Sequence, residues 1–408
     1  MRADWQGEGG GHVQPVYGVG LEPGIGESIV DTVEGYRGMK PVRIGNQAHE
    51  HLQHDVYGQI VLPLVQAFYD QRLLRPGTIE DFHALEKVGE RAFAMHDQTD
   101  AGLWEFRTIA RVHTYSSVMC WAACDRLAKA ADHLGLQARA DVWRQRAAAI
   151  RERIEAETFL TDEGRFAASF GGRELDASLL QLTDLGFLDA HDPRQVATFD
   201  AIERDLKKGP FLFRYVEPDD FGEPETAFNF CTFWFIEALH QNGRVEEARA
   251  IFEEMLARRT QAGLLSEDIS VEDGELWGNY PQTYSLVGII NCAVMLSRSW
   301  TDVRCSFWSR GWDRCRSEVM SRLIVVSNRV SAPTDPAAGS AGGLAMALSA
   351  ALRKYDGLWF GWSGETIDSF TGVPRRRYPV GDDDQTAHRT SVHERLSRTA
   401  QLMIPTRE

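Results

Sequence analysis

The chain has 408 residues, of which 43% are hydrophobic and 25% charged, with a formal net charge of -15. That is enough apolar material for one large core or two smaller ones. The negative charge argues against a nucleic acid or an anionic membrane as partner, because either would repel it.

The first residues, Met1 to His12, are polar and Gly-rich with no apolar stretch, so no secretory leader is expected. The best apolar run, Leu286 to Leu296, is too short to span a bilayer and contains Asn291. Cys120, Cys124, Cys231, Cys292, Cys305 and Cys315 form no CxxC pair and no metal-ligand spacing. They are expected to be reduced thiols of a cytoplasmic protein, and neither a metal nor a cofactor is implied.

From about Tyr57 to Trp300 apolar residues recur at three- and four-residue steps. They predict helices over 58–74, 80–95, 113–134, 137–157, 191–206, 228–242, 245–258 and 282–299. His133-Leu134-Gly135 and Gln241-Asn242-Gly243 are short Gly-containing breaks of the kind that close antiparallel helix pairs. Stretches 141–157 and 245–258 carry many charges and should face outward. The helices before them, 113–134 and 228–242, are rich in aromatic and small residues and should face inward. Such alternation predicts a mainly α protein, an α/α toroid or solenoid. Segments 8–56, 96–112, 208–227 and 260–281 are long loops rich in Gly, Trp, Tyr, Asp and Glu, where a site is expected.

The character changes after Trp300. Residues 301–319 read as a linker. Leu323-Ile324-Val325-Val326 reads as a buried strand, followed by a loop, a helix from about Gly343 and a second strand at 357–361, a short C-terminal β/α stub. From about Ser369 Arg is frequent, Lys absent and apolar residues sparse, so 369–408 is expected to be a disordered tail.

Hydrolysing a glycoside without a metal takes one protonated carboxyl and one carboxylate on opposite sides of the bond. Glu105 lies between Trp104 and Phe106, a setting that desolvates a carboxyl and suits it to give a proton. A structural pairing with Arg107 accounts for the same pattern. Glu267 sits in Leu265-Ser266-Glu267-Asp268; two adjacent acids also fit a solvated loop.

Taken together these segments resemble glycoside hydrolase family 15, the glucoamylase-like enzymes. Trp104-Glu105 matches the family's general-acid loop, and Ser266-Glu267 the general-base loop before its last inner helix. Gly35-Tyr36-Arg37-Gly38, Pro41 to Asn46, Asp55-Val56-Tyr57-Gly58, His113 to Ser116, Trp121, Asp125-Arg126 and Cys231-Thr232-Phe233-Trp234 are similar to further family segments. Phe213-Arg214-Tyr215 resembles the loop whose Arg contacts the sugar. The likeness covers roughly 15–299. It implies a six-hairpin glycosidase toroid, an inverting mechanism and a terminal α-linked glucose as substrate. Tyr57, Trp104 and Trp277 could offer apolar faces to a glucose ring, or pack in the core; Arg43, Arg107 and Arg214 could donate to its hydroxyls. The family's first inner helices and its Trp-Leu-Arg-Asp loop have no counterpart, so the expectation is a partial toroid over 1–300. Its uncovered apolar flank could be met by a second copy. A remnant or non-catalytic sugar-binding protein is the rival reading.

Met320 to Arg329, Ser340-Ala341-Gly342-Gly343-Leu344 and Gly357 to Glu365 resemble the start of trehalose-6-phosphate synthase, over about 320–366. By that likeness Arg329 would reach a phosphate, Gly342 and Gly343 would lie against a nucleotide sugar, and Trp362 would contact a sugar, all vestigial because most of such an enzyme is absent. Met320 reads as a former start codon, which makes the chain a fusion of two neighbouring genes with an out-of-frame tail. Such a neighbour favours trehalose or a short α-glucan as the substrate.

Overall fold

Among the described residues helices are the main elements, and several of their ends fall where the sequence supplies the capping chemistry. The computed structural model describes residues 12–297 except 71, 72, 74 and 221, and the backbone of 324–326 and 358–360. The helices are α1 (Asp55–Leu64), α2 (Gln66–Tyr69), α3 (Ile79–Met95), α4 (Thr114–His133), α5 (Gln137–Thr158), α6 (Gln181–Asp184), α7 (Pro193–Leu206), α8 (Asn229–Gln241), α9 (Val245–Ala257) and α10 (Thr283–Ser297). Thr78 and Asp81 form a reciprocal capping box at the start of α3. Asp192 caps α7, with Pro193 in the first turn where its missing N–H is no loss.

The expected alternation of inner and outer helices is present. In α4, 16 of 20 residues are buried. In its successor α5 only Ala140, Trp143, Ala147, Ile150, Ile154 and Thr158 are, one stripe at steps of three and four. The pair α8 and α9 repeats the contrast, nine buried residues of 13 against four of 13. Both hairpins close through a left-handed glycine, Gly135 at φ 75° and Gly243 at φ 80°. The N–H groups of Leu136 and Arg244 reach back to the carbonyls of Ala131 and Leu239, satisfying groups the helix end leaves open. Around these pairs α4 packs on α1, α3 and α5, and α8 on α9 and α10. One continuous apolar core runs from Val56 to Leu296.

Two expectations are corrected. Among the described residues the helix read as 58–74 ends at Leu64, next to Pro63, and is followed by the single turn of α2. Proline supplies no N–H for the ladder. The connections between helices also contain short strands that the sequence reading did not predict. Four two-stranded ladders form: β1 (Ser28–Ile29) with β2 (Arg43–Ile44), β3 (Phe159–Leu160) with β4 (Arg165–Phe166), β5 (Lys207–Lys208) with β6 (Phe211–Leu212), all antiparallel, and a parallel pair described below. A three-stranded antiparallel sheet joins β7 (Thr226–Phe228), β8 (Asp268–Ser270) and β9 (Leu276–Trp277). Runs of two or three residues are too short to show a period of two.

The chain divides into two units. The first holds Met1–Thr260 and Leu264–Ser309; the second holds Gln261–Gly263 and Arg310–Glu408. In the second, β10 (Ile324–Val326) and β11 (Leu358–Phe360) pair in parallel, Val325 opposite Trp359, as expected of a β/α stub. The linker at 301–319, the helix from Gly343, the tail at 369–408 and the residues Arg329, Gly342, Gly343 and Trp362 lie outside the described residues. Cys120, Cys124, Cys231 and Cys292 are free and buried. Among the described residues no helix is long and apolar enough to cross a membrane, and no metal-binding cluster occurs.

Candidate active site

Glu105 stands on the loop between α3 and α4, and that loop is closed at its base. Asp100 and Arg111 exchange backbone hydrogen bonds of 2.9 and 3.2 Å. The buried Asp100 carboxylate accepts the His54 N–H at 2.8 Å and the Ser116 hydroxyl at 2.7 Å, which ties the loop to the starts of α1 and α4. The two aromatics beside Glu105 are each anchored elsewhere. Trp104 donates its indole N–H to Asp176 at 2.8 Å and stacks on Phe230 with centroids 6.0 Å apart. Phe106 stacks on His113 at 5.7 Å and leans on Tyr215. Held from both sides, Glu105 takes a left-handed conformation at φ 58°. A non-glycine residue there stores about 1 kcal/mol or more, the kind of strain that collects at sites. Burial of its carboxyl is the largest influence on Glu105 and raises its pKa; the Gln53 amide and Arg107 oppose this, and the charge of Glu267 adds to it.

Glu267 stands at the entry to β8. Its N–H bonds the Asn279 carbonyl at 2.9 Å and its carbonyl accepts the Asn229 N–H at 2.8 Å, so the backbone is held between the β8–β9 hairpin and the start of α8. Its Oε2 accepts two hydrogen bonds of 2.9 Å, from the backbone N–H and the side-chain amide of Asn279. Ser266, one residue earlier, gives its carbonyl to the Asn229 amide at 2.9 Å and the Ser285 hydroxyl at 2.7 Å. The loops from α3–α4 and α9–α10 thus bring Glu105 and Glu267 within electrostatic reach of one another, though 162 positions separate them.

The remaining sequence-predicted residues divide. Glu27 accepts from Arg43 at 2.6 Å and from Arg107 at 3.1 Å, and Arg107 also donates to Gln47 at 2.7 Å, so both arginines share one carboxylate. Arg214 donates to Asp219 at 3.0 Å and lies over the Tyr215 ring. Trp277 is half-buried in β9, with the edge of Tyr36 at 5.2 Å, and the neighbouring Glu275 pairs with Arg37. Tyr57 departs from expectation. It is 0% exposed and its ring stacks on His54 at 6.3 Å, so it has no face left for a sugar. On the first turn of α1 it is part of the apolar core, as the core-packing alternative had it.

Sequence reasoning missed a set of buried acids behind these loops. Asp55 is pushed up to about 7, first by burial and then by the charge of Asp100. Asp100 and Asp176 are each pushed to about 6 by burial. Asp268 rises to about 7 through burial and the adjacent Glu267, with Arg214 opposing. Asp55 and Asp268 stand inside segments already singled out, and acids within apolar segments were the available signal. Glu27 carried none, because its value lies in partners distant in the chain.

The sequence profile of glycosyl hydrolases family 15 matches residues 31–294, a stretch that contains both loops. The chain belongs to that family. Among curated relatives of this family 15 chain, a trehalase of Thermoplasma volcanium is 35% identical over 291 residues, covering 70% of this chain and 46% of the relative. A trehalase of Mycobacterium tuberculosis is 34% identical over 294 residues, covering 70% of this chain and 42% of the relative. The chain therefore spans about half the length of these curated relatives. A 47-residue segment is 66% identical to a trehalose-6-phosphate synthase of Escherichia coli, 12% of this chain and 10% of that protein. Among solved structures, a wild-type glycosidase superposes with a TM-score of 0.52 at 19% identity, covering 64% of this chain and 72% of the other. A glucoamylase from Saccharomycopsis fibuligera gives 0.51 at 12% identity, covering 62% and 71%. These identities speak for the fold alone, that of the six-hairpin glycosidases.

Proposed function

We propose that this chain hydrolyses a terminal α-linked glucose with inversion, that trehalose is its substrate, and that Glu105 is the general acid and Glu267 the general base. The observation that carries the reading is the pairing of two unlike carboxyl environments in one place. Glu105 is desolvated and raised, which keeps a proton on it for the leaving oxygen. Glu267 accepts two hydrogen bonds on Oε2, which leaves Oε1 to take a proton from water. Inverting glycosidases hold such a pair about 6.5–9.5 Å apart, with the water between them. Arg43, Arg107, Arg214, Trp104 and Trp277 are the side chains proposed to meet the sugar. Trehalose is favoured over other α-glucosides by the trehalases among the relatives.

The test is glucose release by the purified chain from trehalose, maltose and maltotriose, beside Glu105→Gln and Glu267→Gln. The expected result is release from trehalose that each substitution lowers at least about a thousandfold, with α- and β-glucose appearing together in equal amounts by NMR before mutarotation, the β from the attacked sugar and the α from the leaving one. Initial release of α-glucose alone would rule out inversion. Release that survives both substitutions would move the chemistry to other residues.

A further inference from the structure

Asn279 grips Glu267 at three points. Its carbonyl takes the Glu267 N–H, and its own N–H and side-chain amide both donate to Oε2, each at 2.9 Å. The preceding Gly278 has φ 76°, and a Cβ built on it would lie 2.8 Å from the same Oε2 and 2.9 Å from the Glu267 Cβ. Only a glycine lets the hairpin close this tightly on the carboxylate. An ionised carboxylate has about two lone pairs on each oxygen. Two donors on Oε2 occupy that oxygen and leave Oε1 to accept a further proton.

We propose that Asn279 is a positioning residue that fixes Glu267 so that Oε1 alone faces the attacking water, an inference that rests on the hydrolase reading above. In the step this serves, a water O–H bond breaks and its proton passes to Oε1 as the water oxygen bonds the anomeric carbon. The glycosidic C–O bond breaks on the other side, and its oxygen takes the Glu105 proton. No other reactant is needed. The grip sets the direction of Oε1.

The experiment measures kcat and KM on trehalose from pH 4 to 8 for the whole chain, for Asn279→Ala and for the near-isosteric Asn279→Asp, with thermal melts of each. Both variants are expected to lose kcat by about tenfold to a hundredfold with KM changed less than about threefold. The acid limb of the pH profile should move to higher pH, further for Asp, which adds a like charge, than for Ala. A lowered melting temperature with the acid limb unmoved would show a structural role only and overturn the inference while leaving the hydrolase reading intact. A chain with no turnover before any substitution would overturn that reading, and this inference with it. Should Asn279→Ala fail to fold, the isosteric Asp variant still decides the matter through the pH limb.

Discussion

At the scale of single residues, the site rests on acids whose folded surroundings hold protons onto them. Asp55 is the extreme case, 3% exposed, with Oδ1 lacking a hydrogen bond and its pKa pushed up to about 7. Its folded pKa lies above that of the unfolded chain, so the native state binds more protons between about pH 4 and pH 7. The stability this group contributes is full below about pH 4 and is lost as the pH rises through about 7. Asp55→Asn removes the titration while keeping the shape. In urea denaturation the variant should match or fall below the parent at pH 4.5 and exceed it at pH 8, by on the order of 1–3 kcal/mol. An equal offset at both pH values would show that Asp55 does not titrate in this range. The same comparison explains what the sequence disclosed. Trp104-Glu105-Phe106 announces a desolvated carboxyl by its immediate neighbours. The Asp55 carboxyl is shifted first by burial and then by Asp100, 45 positions away, and a linear reading has no means to place the two together.

At the scale of elements, the helices were legible, as were β10 and β11 from their continuous apolar runs, while the short strands beside the site were not. A buried stripe such as Ala140, Trp143, Ala147, Ile150, Ile154 repeats often enough to reveal its period, whereas β7, β8 and β9 have three, three and two residues. Yet that small sheet seats Glu267, because Phe228 pairs with Asp268 and Asp268 with Trp277. Asn229, the first residue of α8, ties the sheet to the helix, its N–H on the Glu267 carbonyl and its amide on the Ser266 carbonyl. Asn229→Ala should cost about 1–3 kcal/mol in chemical denaturation, since it is 0% exposed and its amide bond has no water to replace it. It should also lower kcat on trehalose. Thr78→Ala, at the remote capping box of α3, should cost about 1 kcal/mol with kcat unchanged. If both variants changed kcat equally, the start of α8 would have no special hold on the base loop.

At the scale of the molecule, α10 presents an unusual surface. It follows the base loop and is apolar on more than one side. It packs on α8 and α9 through Ser285, Gly288, Cys292 and Leu296, and still leaves Tyr284, Val287, Ile290 and Val294 exposed at 66%, 44%, 61% and 44%. Those four recur at steps of three and four, one helical face of the kind that packs against another helix. In the first unit Leu64, at the end of α1, is also exposed, at 44%. Apolar stripes of this length on a stable protein are usually covered. A second copy of the chain, meeting α10 across a twofold axis, would cover it with the same face. Sedimentation equilibrium from about 1 to 100 μM should therefore give a dimer. Ile290→Glu places a charge in the middle of that face and should shift the equilibrium to monomer by at least about tenfold, since an unpaired charge buried in an apolar contact is strongly unfavourable. The substitution lies outside the α8–α10 contact, so the melting profile of the monomer should change little. A monomer throughout that range would mean the α10 face is not closed by a copy of itself.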